Sequence, residues 1–400
     1  MPPLGRPAGK DKAADGLRGV AALSVVLCHF MACIYPASMG HAPLPGGASP
    51  AGVETPVTAF LSIPWLSFLW NGTFAVSVFF VLSGYVLTKP FVETGDMSSM
   101  KLRAARRYPR LCIPILGSIL LTYSIMSLGL SHAAELSGVT KTTWANQFWN
   151  FPPSFLLALK EGLYGAIFTG QSSYNPILWT MKVEFIGSMI VFGFRALNQN
   201  GRAGLINFVV VTAALMIFFP DEWSLYVGFL AGSYLGQLRL PQPRWLTMVA
   251  VLVAVFFGSY GYSRWYAFTS GLPLTANGIK NLMSTIGAVA LLYVVRAGWF
   301  HGLFVSRPAQ YLGKVSYAIY LVHFPLLLSF TAWAFVRVYG LTNGAYDISA
   351  GITLVVTVAL VLATASAFET TFDRMGINVS KKLFPVPKKQ GPTLGAAESA

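Results

Sequence analysis

The sequence predicts an all-α integral membrane protein of about ten transmembrane helices, with both termini cytoplasmic. Three observations carry this prediction. Hydrophobic residues make up 54% of the 400-residue chain and charged ones only 10%. A soluble domain carries about 25% charge, so a soluble fold of this size could not cover its surface. Ten apolar segments approach or reach the roughly 20 residues that a helix needs to cross the hydrocarbon core. The basic surplus, a formal net charge of +14, sorts to one side of those segments. Disorder, a collagen-like repeat and a disulfide scaffold are excluded by the apolar content, the 38 unpatterned glycines and the three cysteines.

In chain order the segments are 17–35, 66–88, 109–130, 176–197, 205–220, 223–239, 245–262, 279–296, 312–338 and 348–368. The first carries Arg18 and His29 and lacks a small-residue cleavage site, so it reads as a membrane helix and not a signal peptide. The fifth and sixth are short, broken only at Pro220-Asp221, and read as one buried helical hairpin. An even number of crossings returns both termini to one side. With that side cytoplasmic, all but six of the 28 Lys and Arg residues lie inside, from Arg6, Lys10 and Lys12 through Arg202 and Arg239 to Lys388 and Lys389. The exceptions are Lys141, Lys160, Arg264, Lys280 and Arg337 outside, and Lys182 within a span. Two outside loops are long. Residues 36–65 are rich in Pro, Gly and Ala and read as an extended connection. Residues 131–175, with Trp144, Phe148, Trp149 and Phe151, read as a partly helical cap at the membrane interface. Residues 1–368 form one transmembrane domain, and 369–400 a short basic cytoplasmic tail. Cys28, Cys33 and Cys112 fall within helices, away from any extracellular disulfide position.

Ionisable groups inside a membrane are costly, which makes each a functional candidate. Arg18 and His29 are eleven residues apart, about 1,100° of helix, so they share one face with His29 about 16 Å deeper. Arg18 alone is as well explained as a positive-inside anchor. A histidine near the midplane needs polar partners. His323 follows Lys314 by nine residues, with Tyr320 one turn earlier on the same face and Pro325 set to kink the helix. It is either functional or part of a polar cluster between helices. Lys182 can snorkel outward along its stem. Glu184 needs a partner at its depth, and an imidazole is the expected one. The cluster Arg103-Ala-Ala-Arg106-Arg107-Tyr108-Pro109-Arg110 is either topogenic charge on anionic lipid or a clamp for a cytosolic polyanion. No base-stacking surface accompanies it, so no nucleic-acid partner is expected.

In these residues the chain resembles the acyltransferase 3 family of membrane-bound acyltransferases, over most of residues 14–368. Asp15-Gly16-Leu17-Arg18-Gly19 with His29 is similar to the family's opening motif. Phe79-Phe80-Val81-Leu82-Ser83-Gly84-Tyr85, the Arg107-x-x-Arg110 motif with Pro114, Leu178-Trp179-Thr180 through Glu184, and Ser316-Tyr317 through His323 follow in the family's order. Ala14 stands where the family usually has Leu, a small departure, and the stand-alone form, without the esterase-like domain fused to some relatives, is the expected one. The resemblance implies transfer of an acyl group, often acetyl, from cytosolic acyl-CoA to a hydroxyl of an extracytoplasmic or lipid-linked glycan. Membrane lipids would surround the protein, no metal would be needed, and the bacterial inner membrane would be its place. By that resemblance His29, Glu184 and Arg18 are catalytic. His29 acts as general base or as a covalent acyl carrier, while Glu184 orients an imidazole or holds its proton. Arg107, Arg110, Arg18 and Ser83 belong to donor binding. Tyr320 and His323 donate to the thioester oxyanion or shape the pocket. The alternative is a proton-coupled transporter or flippase using the buried His and Glu groups, although the inverted repeats of such proteins are not visible.

Overall fold

The computed structural model describes residues 11–39, 52–198, 204–237, 242–261 and 264–386. Arg6, Lys10, Arg202, Arg239, Lys388 and Lys389 of the charge pattern lie outside the described residues, as do residues 40–51 of the first long loop. Each of the ten apolar segments is helical: α1 (Lys12–Ile34), α2 (Gly72–Thr94), α3 (Met97–Ser127), α4 (Trp179–Leu197), α5 (Gly204–Phe218), α6 (Trp223–Gln237), α7 (Arg244–Gly258), α8 (Ala276–Arg296), α9 (Arg307–Leu326) and α10 (Tyr346–Phe368). A further helix, α11 (Arg374–Leu383), follows α10. Among the described residues, seven helices are long and apolar enough to cross a membrane. Helices α5, α6 and α7 have 15 residues each, about 22 Å of rise against a core of about 30 Å.

Side chains mark several of the helix starts. Asp11 accepts from the Ala14 N–H at 3.1 Å to open α1, and Asn71 caps Thr73 and Phe74 to open α2. Gly95, at φ 69°, ends α2 in the left-handed region, and Asp96 caps α3 immediately after it.

Small residues set which helices touch. Along α6, Gly228, Gly232 and Gly236 recur every fourth position and form a stripe against α2. A Cβ on Gly232 would fall 1.9 Å from the Val81 carbonyl oxygen, and one on Gly84 would fall 1.9 Å from that of Phe229. The two backbones are therefore in contact, the packing that small-x-x-x-small patterns permit in membranes. Helices α1 and α9 meet in the same way. A Cβ on Gly19 would lie 2.3 Å from the Gly313 nitrogen, and one on Gly313 would lie 2.3 Å from the Asp15 oxygen. From the Gly19–Gly313 contact each helix climbs ten residues, about 15 Å, to its histidine. His29 and His323 consequently arrive at one height.

Three expectations change. The third helix begins at Met97 and not at 109, running unbroken through Pro109 and Pro114. The basic cluster is thus helical, on a segment whose 31 residues, about 46 Å, project beyond the core. The hairpin is present but only one arm is buried: α6 packs inside, whereas α5 exposes Leu205, Ile206, Ile217 and Phe218 to the membrane side. The 131–175 loop does more than cap the surface. Its segment Phe155–Thr169 inserts between α3 and α4, where the Leu163 carbonyl accepts from Tyr108 at 2.7 Å and Gly162 packs against Leu116. Finally, the described part of the short basic tail, residues 369–386, is largely helical. A π-helical turn, Glu369–Asp373, leads into α11, which packs along α3. The expected disturbance at Pro325 takes the form of a second π-helical turn, Leu327–Thr331, before the helix resumes over Ala332–Leu341.

Candidate active site

The ionisable residues singled out from the sequence gather into two groups on one axis of the bundle. The deeper group is a pair of imidazoles. His29 Nδ1 and His323 Nε2 are 2.9 Å apart. Their ring planes lie within 5° of each other with centroids at 5.1 Å, the spacing of two rings joined edge to edge by a hydrogen bond. His323 Nδ1 lies 3.0 Å from the Ile319 carbonyl oxygen. A carbonyl only accepts, so in the neutral ring Nδ1 carries the proton and Nε2 presents a lone pair. His29 must then donate through its own Nδ1–H. This assignment follows from the hydrogen-bond network. It leaves His29 Nε2 without a proton, the form a general base or nucleophile requires.

Rings fix the pair in place. Trp144, from the long 131–175 loop, lies nearly parallel to His29 at 5.2 Å, and Phe324 meets it edge-on at 6.2 Å. The loop is anchored there by Thr142, whose hydroxyl donates to the Ala32 carbonyl at 2.7 Å. His323 is fully buried, whereas His29 keeps partial exposure. The reactive nitrogen therefore belongs to the more accessible ring.

The second group is polar and lies toward the basic end. Arg107 Nη2 donates to Glu184 Oε1, Ser83 donates to the same oxygen at 2.8 Å, and Arg107 Nε donates to Ser188 Oγ at 2.9 Å. The side chains of Arg107 and Glu184 are only 11% and 13% exposed, so this is a buried pair that neither partner can leave cheaply. The expected imidazole partner for Glu184 is therefore replaced by a guanidinium, because α2, α3 and α4 converge at a level below the histidines. Arg18 forms an ion pair with Asp15 at 2.7 Å, and its field reaches Glu184, Arg110 and Asp373. It belongs to this lower group and not beside His29. Lys182 does not simply snorkel: its ammonium lies 3.6 Å from Glu222 in the α5–α6 turn.

Two expected oxyanion donors have no hydrogen to offer. Both nitrogens of His323 are used by Ile319 and His29. The Tyr320 hydroxyl donates to the Ile177 carbonyl at 2.9 Å and shares a 2.7 Å contact with Thr180. Tyr320 instead packs 5.9 Å from both His323 and Phe79, forming a wall of the site.

Below the ion pair opens a cleft of 420 Å³ whose lining includes Arg103, Arg106, Arg107 and Arg110. Their i, i+3, i+4, i+7 spacing puts all four on one face of α3. Among the described residues the acid in the lining is Asp96, which is engaged in capping α3 through Ser98. Arg107 is held by Glu184 and Ser188, but Arg103 and Arg110 make no ion pair among the described residues, and a planar guanidinium suits phosphate oxygens by offering paired donors. Arg107 alone belongs both to this cleft and to the buried pair.

The family model for the acyltransferase domain of the acyltransferase 3 family matches residues 11–368. The O-acetyltransferase PaAT-1 of Phomopsis amygdali is 26% identical over 371 residues, covering 78% of this chain and 71% of that protein. The acyltransferase clz18 of Cochliobolus lunatus is 24% identical over 88% of this chain and 91% of its own length. The Bacillus subtilis protein YrhL, named "Putative peptidoglycan O-acetyltransferase", is 23% identical over 74% of this chain and 50% of its own length. No solved structure matches the chain. A match over nearly the whole chain, on a helical bundle with an imidazole pair and a basic cleft, settles the family: the chain belongs to the acyltransferase 3 family and is an integral membrane O-acyltransferase.

Proposed function

We propose that this protein moves an acetyl group from cytosolic acetyl-CoA to a hydroxyl of an extracytoplasmic or lipid-linked glycan. In this reading the bundle crosses the membrane ten times, the basic end with both termini is cytoplasmic, and the membrane is a bacterial inner membrane. Such a membrane has acyl-CoA on one face and envelope glycan on the other. The observation that carries the proposal is the placement of the proton-free His29 Nε2 above the arginine face of α3. Arg18 and His29 are separated by about 16 Å of helical rise. The pantetheine arm between the phosphates and sulfur of CoA has the length of an extended peptide of four to five residues, also about 16 Å. A donor whose phosphates rest on Arg107 and Arg110, with Arg18 and Ser83 flanking, thus brings its thioester to the imidazole pair.

In the reaction His29 Nε2 takes the proton of the acceptor hydroxyl as the oxygen attacks the thioester carbonyl. The new C–O bond forms, the C–S bond breaks, and the departing thiolate recovers the proton from His29. His323 acts through His29, holding the ring in its active tautomer. Glu184 keeps Arg107 extended into the structure between cleft and histidines. The transporter alternative required Glu184 to join the histidines in a proton relay, and its hydrogen bonds run to Arg107 and Ser83 instead. The relatives' names, O-acetyltransferase and peptidoglycan O-acetyltransferase, support acetyl as the group and a glycan as the acceptor.

The test uses purified protein in vesicles supplied with labelled acetyl-CoA and glycan acceptor. Wild type transfers label, and His29→Ala transfers none at normal membrane abundance. Turnover retained in His29→Ala overturns the assignment. Labelled protein accumulating without acceptor, and only when His29 is present, would make His29 the covalent carrier.

A further inference from the structure

The family match ends at residue 368, yet one wall of the basic cleft comes from beyond it. Ser380 and Lys381 of α11, with Ile377 and Val386, line the cleft opposite the arginines of α3. The helix is held there by several devices. Arg106 donates through Nε and Nη2 to the Phe384 carbonyl at 2.9 and 2.6 Å. Gly376 lets the backbone of α11 approach α3 where Pro114 has removed the donor to the Arg110 carbonyl; a Cβ there would lie 3.1 Å from that oxygen. At the hinge, Glu369 is paired with Lys314 at 3.7 Å and with Arg374 at 3.5 Å. These contacts fix α11 against α3, so the position of Lys381 is defined.

Among the described residues, Arg103, Arg106, Arg110 and Lys381 make no ion pair with a carboxylate within 4 Å. Cations gathered around one cleft repel each other until a multiply charged anion enters. Resting on the acetyl-CoA reading above, we infer that Lys381, facing Arg103 across the cleft, binds the phosphorylated adenosine end of the donor. The reasoning is one of length. If the thioester reaches His29, the pyrophosphate lies near Arg107 and Arg110. Arg103 is seven residues, about 10 Å, further out along α3, so the outer cations meet the nucleotide and its ribose phosphate. Arg103 and Arg110 supply directed forks from one side, while Arg106 is held by the Phe384 carbonyl and Arg107 by Glu184 and Ser188; Lys381 supplies a compact point charge from the other. The C-terminal helix is thereby a donor-recognition element, not a tail.

Lys381 is exposed, so Lys381→Gln leaves packing intact. Two measurements on the full chain in phosphatidylcholine vesicles test the inference. In the first, direct binding of adenosine 3′,5′-bisphosphate should weaken about tenfold in Lys381→Gln, the loss of one charge-assisted phosphate contact. In the second, the KM for acetyl-CoA should rise by a similar factor with kcat unchanged, while turnover of S-acetylpantetheine, which lacks the nucleotide, stays at the wild-type level. Unchanged nucleotide binding overturns the inference, and so does an equal KM increase for both donors, which would mark a structural role for α11. An effect seen only with phosphatidylglycerol, absent in phosphatidylcholine, overturns it in favour of a lipid headgroup. Wild-type protein that binds the nucleotide but transfers nothing refutes the acetyl-CoA reaction and leaves the nucleotide site standing.

Discussion

Replacing His323 with leucine tests the tautomer imposed on His29. In the native pair the His29 Nδ1–H donates to His323 Nε2 over 2.9 Å, and the Ile319 carbonyl fixes which nitrogen of His323 accepts. Leucine fills much of the same volume but accepts no hydrogen bond. The His29 Nδ1–H would then be buried beside Trp144 and Phe324 without a partner, at a cost of about 1–3 kcal/mol. The ring escapes this cost by carrying its proton on Nε2, and in that tautomer Nε2 cannot take a proton from the acceptor. The population of the active form falls about 5- to 150-fold for that range of energies, and kcat falls with it. The donor KM should hold, because Arg18 lies about 16 Å away along α1 and the other donor-binding cations are on α3 and α11, on neither of the two helices that carry the histidines. Steady-state release of CoA thiol from acetyl-CoA, at saturating acceptor in vesicles, gives both constants. His323→Gln restores an accepting oxygen and should recover most of the lost kcat. Wild-type kcat in His323→Leu refutes the reasoning. A glutamine variant as slow as the leucine variant refutes it too, since that would require an imidazole and not merely an acceptor.

Three further outcomes follow from the packing and the charges. Glu161, in the inserted loop segment and outside the spans, is fully buried, and burial raises its pKa against the hydrogen bonds from Tyr174 and Ser173. Folding then favours its protonated form, so its contribution to stability is complete below the unfolded pKa and is lost as pH rises through the folded value. Glu161→Gln should leave the melting temperature unchanged near about pH 4 and raise it near about pH 8; an equal shift at both refutes the assignment. Gly84→Ala and Gly232→Ala each force a Cβ to 1.9 Å from a backbone oxygen across the α2–α6 contact, and should cost about 1–3 kcal/mol each in detergent unfolding; native stability in both would show that this contact can relax. Glu184→Leu leaves the buried Arg107 uncompensated and should destabilise by about 3–5 kcal/mol. Adding Arg107→Leu should restore most of the stability without restoring transfer, and a double variant no more stable than the single would disprove the pairing.

Much of the fold was legible because the bilayer imposes a length and a polarity that composition records directly. All ten apolar segments are helices, and Pro325 is followed by a π-helical turn. The misplacements have identifiable causes. The apolar run opens at 109, but α3 runs through Pro109 and Pro114 and starts twelve residues earlier, at Met97, so that the arginine face is helical too. Loop 131–175 reads as interfacial since its aromatics are scattered, whereas Gly162 lets part of it pack closely against Leu116 of α3. The glycine stripe of α6 was visible as a four-residue repeat, and it would have announced the α2–α6 contact.

The site was legible one residue at a time and illegible in its pairings. Depth can be counted from rise per residue, so His29, His323 and Glu184 stand out as ionisable groups in apolar helices. Periodicity fixes the face of a helix on which each lies. It does not fix which helix that face meets. Glu184 and Arg107 are 77 residues apart, and their encounter depends on how α2, α3 and α4 converge. His29 and His323 are 294 apart, and their equal height is inherited from the Gly19–Gly313 contact near the other end of the same two helices. The tautomer required one step more. It is decided by the Ile319 carbonyl, a backbone group with no signature in the side-chain sequence. A single helix carbonyl thus fixes the proton on His323, His323 fixes it on His29, and the reactive lone pair appears on the one nitrogen that faces neither.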